Sequence, residues 1–333
     1  MRSLAKTKTL HDLGERKAIE LVTSLLTPGD DKIAVGPGDD CAAISFGEYY
    51  LVITTDMTAQ STHFPPEITP YQMGWFVIAI NLSDLAAKGA LPLGIVVASG
   101  MPKNIDSGYL SELIKGMDAC ATRFGTRIIG GDLKSHELLT LTGTAIGIVS
   151  RSEFMPRSGT SADEIVAVTG TLGRAGAAYY ALKSKRSEKY PELLRGLFEP
   201  EPRLAEGHAL AKTGVVTSSM DISDGLADSL HQLAKMNNVG YEVILDDIPI
   251  HENATKISEE LAVPIEDLTV YFGGDYELLI ALDPAHWSLV ERAVASVGGQ
   301  LTRIGKVTKD KKLTMVKGRK KVPLENKGYE HFK

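Results

Sequence analysis

The chain has 333 residues, 43% of them hydrophobic and 23% charged, and 42 acidic side chains against 36 basic ones give a formal net charge of −6. That length corresponds to about two ordinary domains. The apolar share excludes an intrinsically disordered chain, and the acidity argues against a protein that grips a nucleic-acid backbone. Two cysteines, Cys41 and Cys120, exclude a disulfide framework or a cysteine-rich zinc site and read as small buried thiols of a reducing cytoplasm.

In chain order, Arg2, Lys6 and Lys8 precede no apolar stretch, so no secretory signal is read. Apolar spacing predicts a helix over 10–26, stopped by Pro28-Gly29, and β-like runs over 33–35, 41–45 and 50–55. A helix over 70–90 ends at Gly89. A buried strand at 93–99, an amphipathic helix at 107–124 closed by Gly125, and strands at 127–129 and 138–149 follow. The most apolar region, 75–101, is broken by Asn81, Ser83, Asp84 and Lys88 and is too polar to span a membrane. The polar stretch 150–163, with Pro156 and Gly159, marks a boundary between domains 1–150 and 151–333. Beyond it come a strand at 164–169, helices at 173–184, 202–213 and 225–236, strands at 241–245 and 276–282, a helix at 287–297 and a strand at 300–307. The basic cluster 309–321 reads as a solvated terminal hairpin. Each half mixes strands and helices, so the fold class is α/β (α+β) with two domains.

Carboxylates recur beside glycine or small hydroxyl residues at strand ends: Gly38-Asp39-Asp40, Thr54-Thr55-Asp56, Asn81-Leu82-Ser83-Asp84, Gly130-Gly131-Asp132, Asp221-Ile222-Ser223-Asp224-Gly225 and Gly273-Gly274-Asp275. One such tripeptide is ordinary turn or cap chemistry. Six together point to carboxylates gathered at one site, whose repulsion demands cations. Oxygen donors favour Mg²⁺, and Mg²⁺ usually shares its shell with phosphate oxygens, so the pattern points to a nucleotide or phosphate-transfer site. No P-loop sequence or protein-kinase signature is present. The turn Thr169-Gly170-Thr171-Leu172-Gly173-Arg174-Ala175-Gly176, with Tyr179 and Lys183 behind it, imitates a dinucleotide-binding turn. It lacks the following strand with its acidic end, so the glycines read as a tight turn and close helix packing. His63, in a loop just past Asp56, is weighed evenly between a solvated histidine and a ligand contact. Arg157 reads as surface charge or as a phosphate contact in the inter-domain loop.

Taken together, these residues resemble the thiamine-monophosphate kinases of the aminoimidazole ribonucleotide synthetase-like ATP-binding superfamily. The matching segments include Leu13-Gly14-Glu15-Arg16, Gly36-Pro37-Gly38-Asp39-Asp40-Cys41-Ala42, Thr54-Thr55-Asp56-Met57, Thr62-His63-Phe64, Ile129-Gly130-Gly131-Asp132, Arg157-Ser158-Gly159, Met220-Asp221-Ile222-Ser223-Asp224-Gly225-Leu226, Asp275-Tyr276-Glu277-Leu278 and Lys327-Gly328-Tyr329-Glu330-His331-Phe332. The most specific is Asn81-Leu82-Ser83-Asp84-Leu85-Ala86-Ala87-Lys88-Gly89-Ala90. The reactive N-terminal cysteine of selenophosphate synthetases is not seen, and the chain ends in His331-Phe332-Lys333 where the hydrogenase-maturation relatives end in a cysteine tail.

The resemblance implies ATP-dependent phosphorylation of thiamine monophosphate to thiamine diphosphate, with several Mg²⁺ ions and no general base. It also implies an N-terminal mixed sheet with helices, a C-terminal α/β sandwich and a homodimer, while the composition and apolar pattern point to a cytoplasmic chain with no nucleic-acid or membrane partner. By the same resemblance the metal ligands are Asp40, Thr54, Thr55, Asp56, Asp84, Asp132, Asp221 and Asp224. Gly131, Asp132, Arg157 and Ser223 match nucleotide-contacting positions, and His63 matches an acceptor-contacting one. Two departures stand out: Gly274 occupies the place of an expected glutamate, and Asn326 that of an aromatic residue. They leave a different phosphorylated acceptor as an alternative within the superfamily, and a non-catalytic nucleotide-binding subunit as a third reading.

Overall fold

The computed structural model describes residues 9–328 and Phe332. Arg2, Lys6, Lys8 and the Tyr329-Glu330-His331 part of the C-terminal motif lie outside the described residues. The expected first helix is two: α1 (Leu10–Leu13) and α2 (Glu15–Leu25) break at Gly14, whose φ of 72° no continuous helix accepts.

The first sheet has six strands, β1 (Ile33–Val35), β2 (Ala42–Phe46), β3 (Tyr49–Ala59), β4 (Leu91–Met101), β5 (Ile128–Ser135) and β6 (Thr140–Ser150), in the order β1-β2-β3-β6-β4-β5. Only β4 and β5 run parallel, so the sheet is mixed. The short α3 (Gln60–His63) follows β3. Helices α4 (Pro70–Ala87) and α5 (Ser107–Arg123) cover one face, with Val77, Ile78, Leu82, Leu113 and Met117 in its core. α4 starts on a capping box, Thr69 with Gln72, and has Pro70 at its first turn. It is apolar nearly all round because it is buried nearly all round: its far end, Ala86 and Ala87, enters the core of the second half.

The second half builds a seven-stranded mixed sheet from β7 (Ile165–Thr169), β8 (Val216–Asp221), β9 (Gly240–Ile244), β10 (Leu278–Leu282), β11 (Leu301–Thr308), β12 (Leu313–Lys317) and β13 (Lys320–Pro323). Its order is β13-β12-β9-β11-β7-β10-β8. Around it lie α6 (Arg174–Lys183), α7 (Pro191–Phe198), α8 (Leu204–Ala211), α9 (Leu226–Asn237), α10 (Glu252–Leu261), α11 (Ile265–Thr269) and α12 (Trp287–Ser296). α9 packs in one core with Val243 and Met315, while α8 and α12 pack in another with Leu278 and Ile280. The basic cluster forms the β12–β13 hairpin, its lysines paired with Glu242 and Glu266.

α4 and α8 cross closely, since a Cβ on Gly207 would stand 2.1 Å from the Ala86 carbonyl oxygen. This contact, together with that of α4 on β8, joins the two halves. β8 was not expected from the sequence, because Val-Thr-Ser-Ser-Met-Asp carries little apolar signal. It is the last strand of its sheet, yet α4 covers it and Ser218 and Ser219 are fully buried. Among the described residues no helix is long and apolar enough to cross a membrane.

Candidate active site

The site lies where the first half meets the end of β8. The 36–41 loop brings Asp39 and Asp40, β3 brings Thr54 and Asp56, α4 brings Asp84 and, at its C-cap, Lys88, and β8 ends on Asp221. One carboxylate oxygen from each of Asp40, Asp84 and Asp221 lies within 4.8 Å of the others. The Asp40 side chain is fully buried and Asp221 is 2% exposed.

The cations are shared unequally. Lys88, fully buried, places Nζ 2.6 Å from Asp39 and 2.7 Å from Asp40 and donates to the Ser219 carbonyl at 2.8 Å. Arg157 donates to Asp40 through Nε at 2.9 Å and through Nη2, and its backbone N–H donates to Asp39 at 2.8 Å. Burial works to raise the Asp40 carboxyl, but Arg157 and Lys88 overcome it and hold it below the ordinary range. Asp84 and Asp221 receive hydroxyls instead, from Thr54 and from Ser83 respectively, the latter at 2.6 Å. Burial, reinforced by neighbouring carboxylates, pushes Asp221 up to about 7 and Asp84 well above the usual range. Asp56 rises to about 6, from burial and then from Asp224 and Asp40.

Not all the expected residues meet. Thr55 is exposed, on the face of β3 opposite Thr54 and Asp56, and bonds the Gly143 carbonyl at 2.9 Å. Asp132 stands on the edge strand β5, in register with Ala98, which pairs with Thr142, which pairs with Met57. Three inter-strand steps, roughly 14 Å, separate it from β3. It is exposed beside Lys134. Gly131 and Asp132 instead line a cavity of about 690 Å³ between α5 and the β4–β5 edge, walled by Val97, Leu110, Ile114 and Met117.

Ser223 is exposed in the 222–225 loop, and its carbonyl accepts from Gly274 N–H at 2.7 Å. His63 Nδ1 meets the Thr62 hydroxyl at 2.7 Å. The His63 ring lies 6.5 Å from that of Phe76, which in turn lies 6.1 Å from that of Tyr276.

Sequence reasoning gave no role to Lys88 or Tyr276. The signal for Lys88 was a charge at the C-cap of a largely apolar helix, one turn after Asp84. Tyr276 has φ of +52°, and its hydroxyl is pushed well above the ordinary range by burial and then by Asp221 and Asp56. Gly274 has φ of +91°, where a side chain such as glutamate would be strained. Asn326 Oδ1 accepts from Arg16 at 3.2 Å. The glycine turn before α6 holds no free anion site, because Asp275 accepts from the N–H groups of Gly173 at 2.6 Å and Ala175 at 2.9 Å. Lys183 lies over the Tyr179 ring at 5.8 Å, which is packing.

Residues 38–149 match the N-terminal domain, and residues 161–318 the C-terminal domain, of AIR synthase related protein. The thiamine-monophosphate kinase of Methanospirillum hungatei is 36% identical over 293 residues, covering 88% of this chain and 92% of its own. That of Halobacterium salinarum is 37% identical over 297 residues, covering 89% and 93%. The solved complex of AaThiL with AMPPCP and TMP superimposes with a TM-score of 0.86 at 26% identity, covering 98% of this chain and all of that one.

Proposed function

The chain belongs to the thiamine-monophosphate kinases within the AIR synthase related proteins, and from that premise we infer that it transfers the γ-phosphoryl group of ATP to the phosphate of thiamine monophosphate, giving thiamine diphosphate and ADP. The observation that carries the reading is the buried group of Asp40, Asp84 and Asp221, only one of which has resident cations. An all-oxygen donor set of this kind fits a hard divalent ion. Asp40, Asp56, Asp84, Asp221 and Asp224, with Thr54 beside them, would hold Mg²⁺, which supplies charge neutralisation between two mutually repelling phosphates.

The chain's own residues do the rest. Arg157 receives nucleotide phosphate oxygens, and the apolar cavity beside Gly131 takes the base of the nucleotide bound at a second subunit. His63, at the rim of the Phe76–Tyr276 aromatic pair, contacts the acceptor. An acceptor phosphate oxygen attacks the γ-phosphorus as the bond to the β-phosphate oxygen breaks. The acceptor phosphate is already ionised near neutral pH, so no side chain removes a proton.

We place Asp132 in the site of a second subunit. Its side of the sheet exposes Met57, Leu91, Leu93 and Ile129 to between 50% and 61%, an apolar surface that a two-fold partner would cover. Such a pairing brings Asp132 to a partner's β3, which it cannot reach within its own chain. A cytoplasmic homodimer is the resulting form, and the buried thiols of Cys41 and Cys120 suit a reducing compartment. The test is direct: incubation with Mg-ATP and thiamine monophosphate should give ADP and thiamine diphosphate in equal amounts, and the absence of both across a range of conditions would overturn the assignment.

A further inference from the structure

Arg157 is pinned from a second side that the phosphotransfer scheme does not use. Its Nη1 donates to Gln232 Oε1 at 2.9 Å, and Gln232 Nε2 donates to Asp228 Oδ2 at 2.6 Å. Asp228, 1% exposed in the first turn of α9, accepts at its other oxygen from Arg16 of α2. The chemistry fixes the direction of the whole chain. A carboxylate only accepts, so the Gln232 amide must turn its NH₂ toward Asp228, which leaves its carbonyl oxygen for a guanidinium that only donates. The Arg157 backbone is held as well, its carbonyl accepting from Asn237 Nδ2 at 3.0 Å.

The other partner of the Arg157 guanidinium, Asp40, is a candidate metal ligand, and a phosphate that binds Arg157 competes for the same Nε–Nη2 edge. Nη1 on Gln232 is the contact that binding can leave in place. We propose that Gln232 is a positioning residue for Arg157, fixed in register by the Arg16–Asp228 ion pair. The anchor also reaches the C-terminal tail: Arg16 donates to Asn326, and a Cβ on Gly328 would stand 2.6 Å from Asp228 Cβ, so the tail lies directly on this carboxylate. One buried carboxylate therefore braces both Arg157, through Gln232, and the C-terminal tail.

The proposal rests on Arg157 as a nucleotide contact. It is tested with the full-length protein by binding of a fluorescent ATP analogue and by steady-state kinetics. Gln232→Leu, similar in volume, should weaken analogue binding and raise the KM for ATP about tenfold, while the KM for thiamine monophosphate stays within about twofold. Arg16→Ala, at a side chain 39% exposed, should likewise weaken analogue binding and serves if the first variant folds poorly. In an Arg157→Ala background neither change should weaken nucleotide binding further. Wild-type affinity in both variants, or losses that add to that of Arg157→Ala, overturns the proposal. A wild-type protein that binds the analogue but makes no thiamine diphosphate overturns the kinase reading instead, and the binding cycle still decides the role of Gln232.

Discussion

Raising the pH of the metal-free protein from 5 to 8 should destabilise it. Asp221 titrates at about 7 in the folded chain against an ordinary value of 3.8. At pH 5 the folded carboxyl is still protonated and the unfolded one is ionised, so the folded state binds more protons and stability falls as pH rises. The contribution is fully present below the unfolded value and is lost as pH passes 7. Between pH 5 and 7 that is two units at about 1.4 kcal/mol each, or about 3 kcal/mol from one side chain. Asp56 and Asp84 act in the same direction. Asp40 has the opposite sign, but its contribution is lost only below its ordinary value, outside this window. Thermal unfolding followed by circular dichroism in EDTA should show a midpoint lower at pH 8 than at pH 5 by on the order of 5–10 °C. Asp221→Asn keeps an acceptor for Ser83 and should flatten the slope. Mg²⁺ at pH 8 should recover the loss by binding only the folded, ionised site. Equal or greater metal-free stability at pH 8, with a slope unchanged by Asp221→Asn, would refute the account.

Asp84→Asn should lower turnover by at least about a hundredfold while leaving the circular dichroism spectrum unchanged, because the amide matches the neutral carboxyl of the ligand-free site in size but cannot ionise to hold a cation. His63→Ala should raise the KM for thiamine monophosphate roughly tenfold and leave that for ATP within about twofold; an effect confined to ATP would place His63 elsewhere. Asp132→Asn and Asp84→Asn should each be inactive alone but regain about a quarter of wild-type activity when co-refolded in equal amounts, since about half the dimers are mixed and each holds one complete site. No recovery would return Asp132 to its own chain's site.

The aspartates at the heart of the site were legible because each sits beside a residue type that marks a strand end or helix turn. Asp40, Asp84 and Asp221 come from a loop, a helix and a strand, and each stands in a short run of acidic, glycine and hydroxyl residues that is visible even where, as at β8, the strand itself is not. What was not legible is which of the remaining candidates join them. Period-two alternation turns Thr55 away from Thr54 and Asp56, and strand order carries Asp132 to the opposite edge. Both follow from pairing, which spacing along the chain does not encode. β8 and the helices over 191–198, 252–261 and 265–269 escaped because their apolar residues are few or their runs short. The Arg16–Asp228–Asn326 junction joins both ends of the described chain to α9 and has no local signal at all.

The resident charges also explain why the fold tolerates this site without its ligands. Asp39 and Asp40 lie in a loop, where backbone order depends on side-chain contacts, and they receive Lys88 and Arg157. Asp84 and Asp221 sit on α4 and β8, which are held by packing between the two halves, and they can stay protonated instead. Neutralisation is thus permanent where the backbone needs it and deferred where it does not. Cations that arrive with the nucleotide would then complete a set of carboxylates already close together, and displace protons rather than rearrange the chain. On this reasoning ligand-free and nucleotide-bound forms should share the positions of Asp84 and Asp221, with the larger change at Arg157 and the 36–41 loop, where Asp40 and an incoming phosphate compete for the same guanidinium.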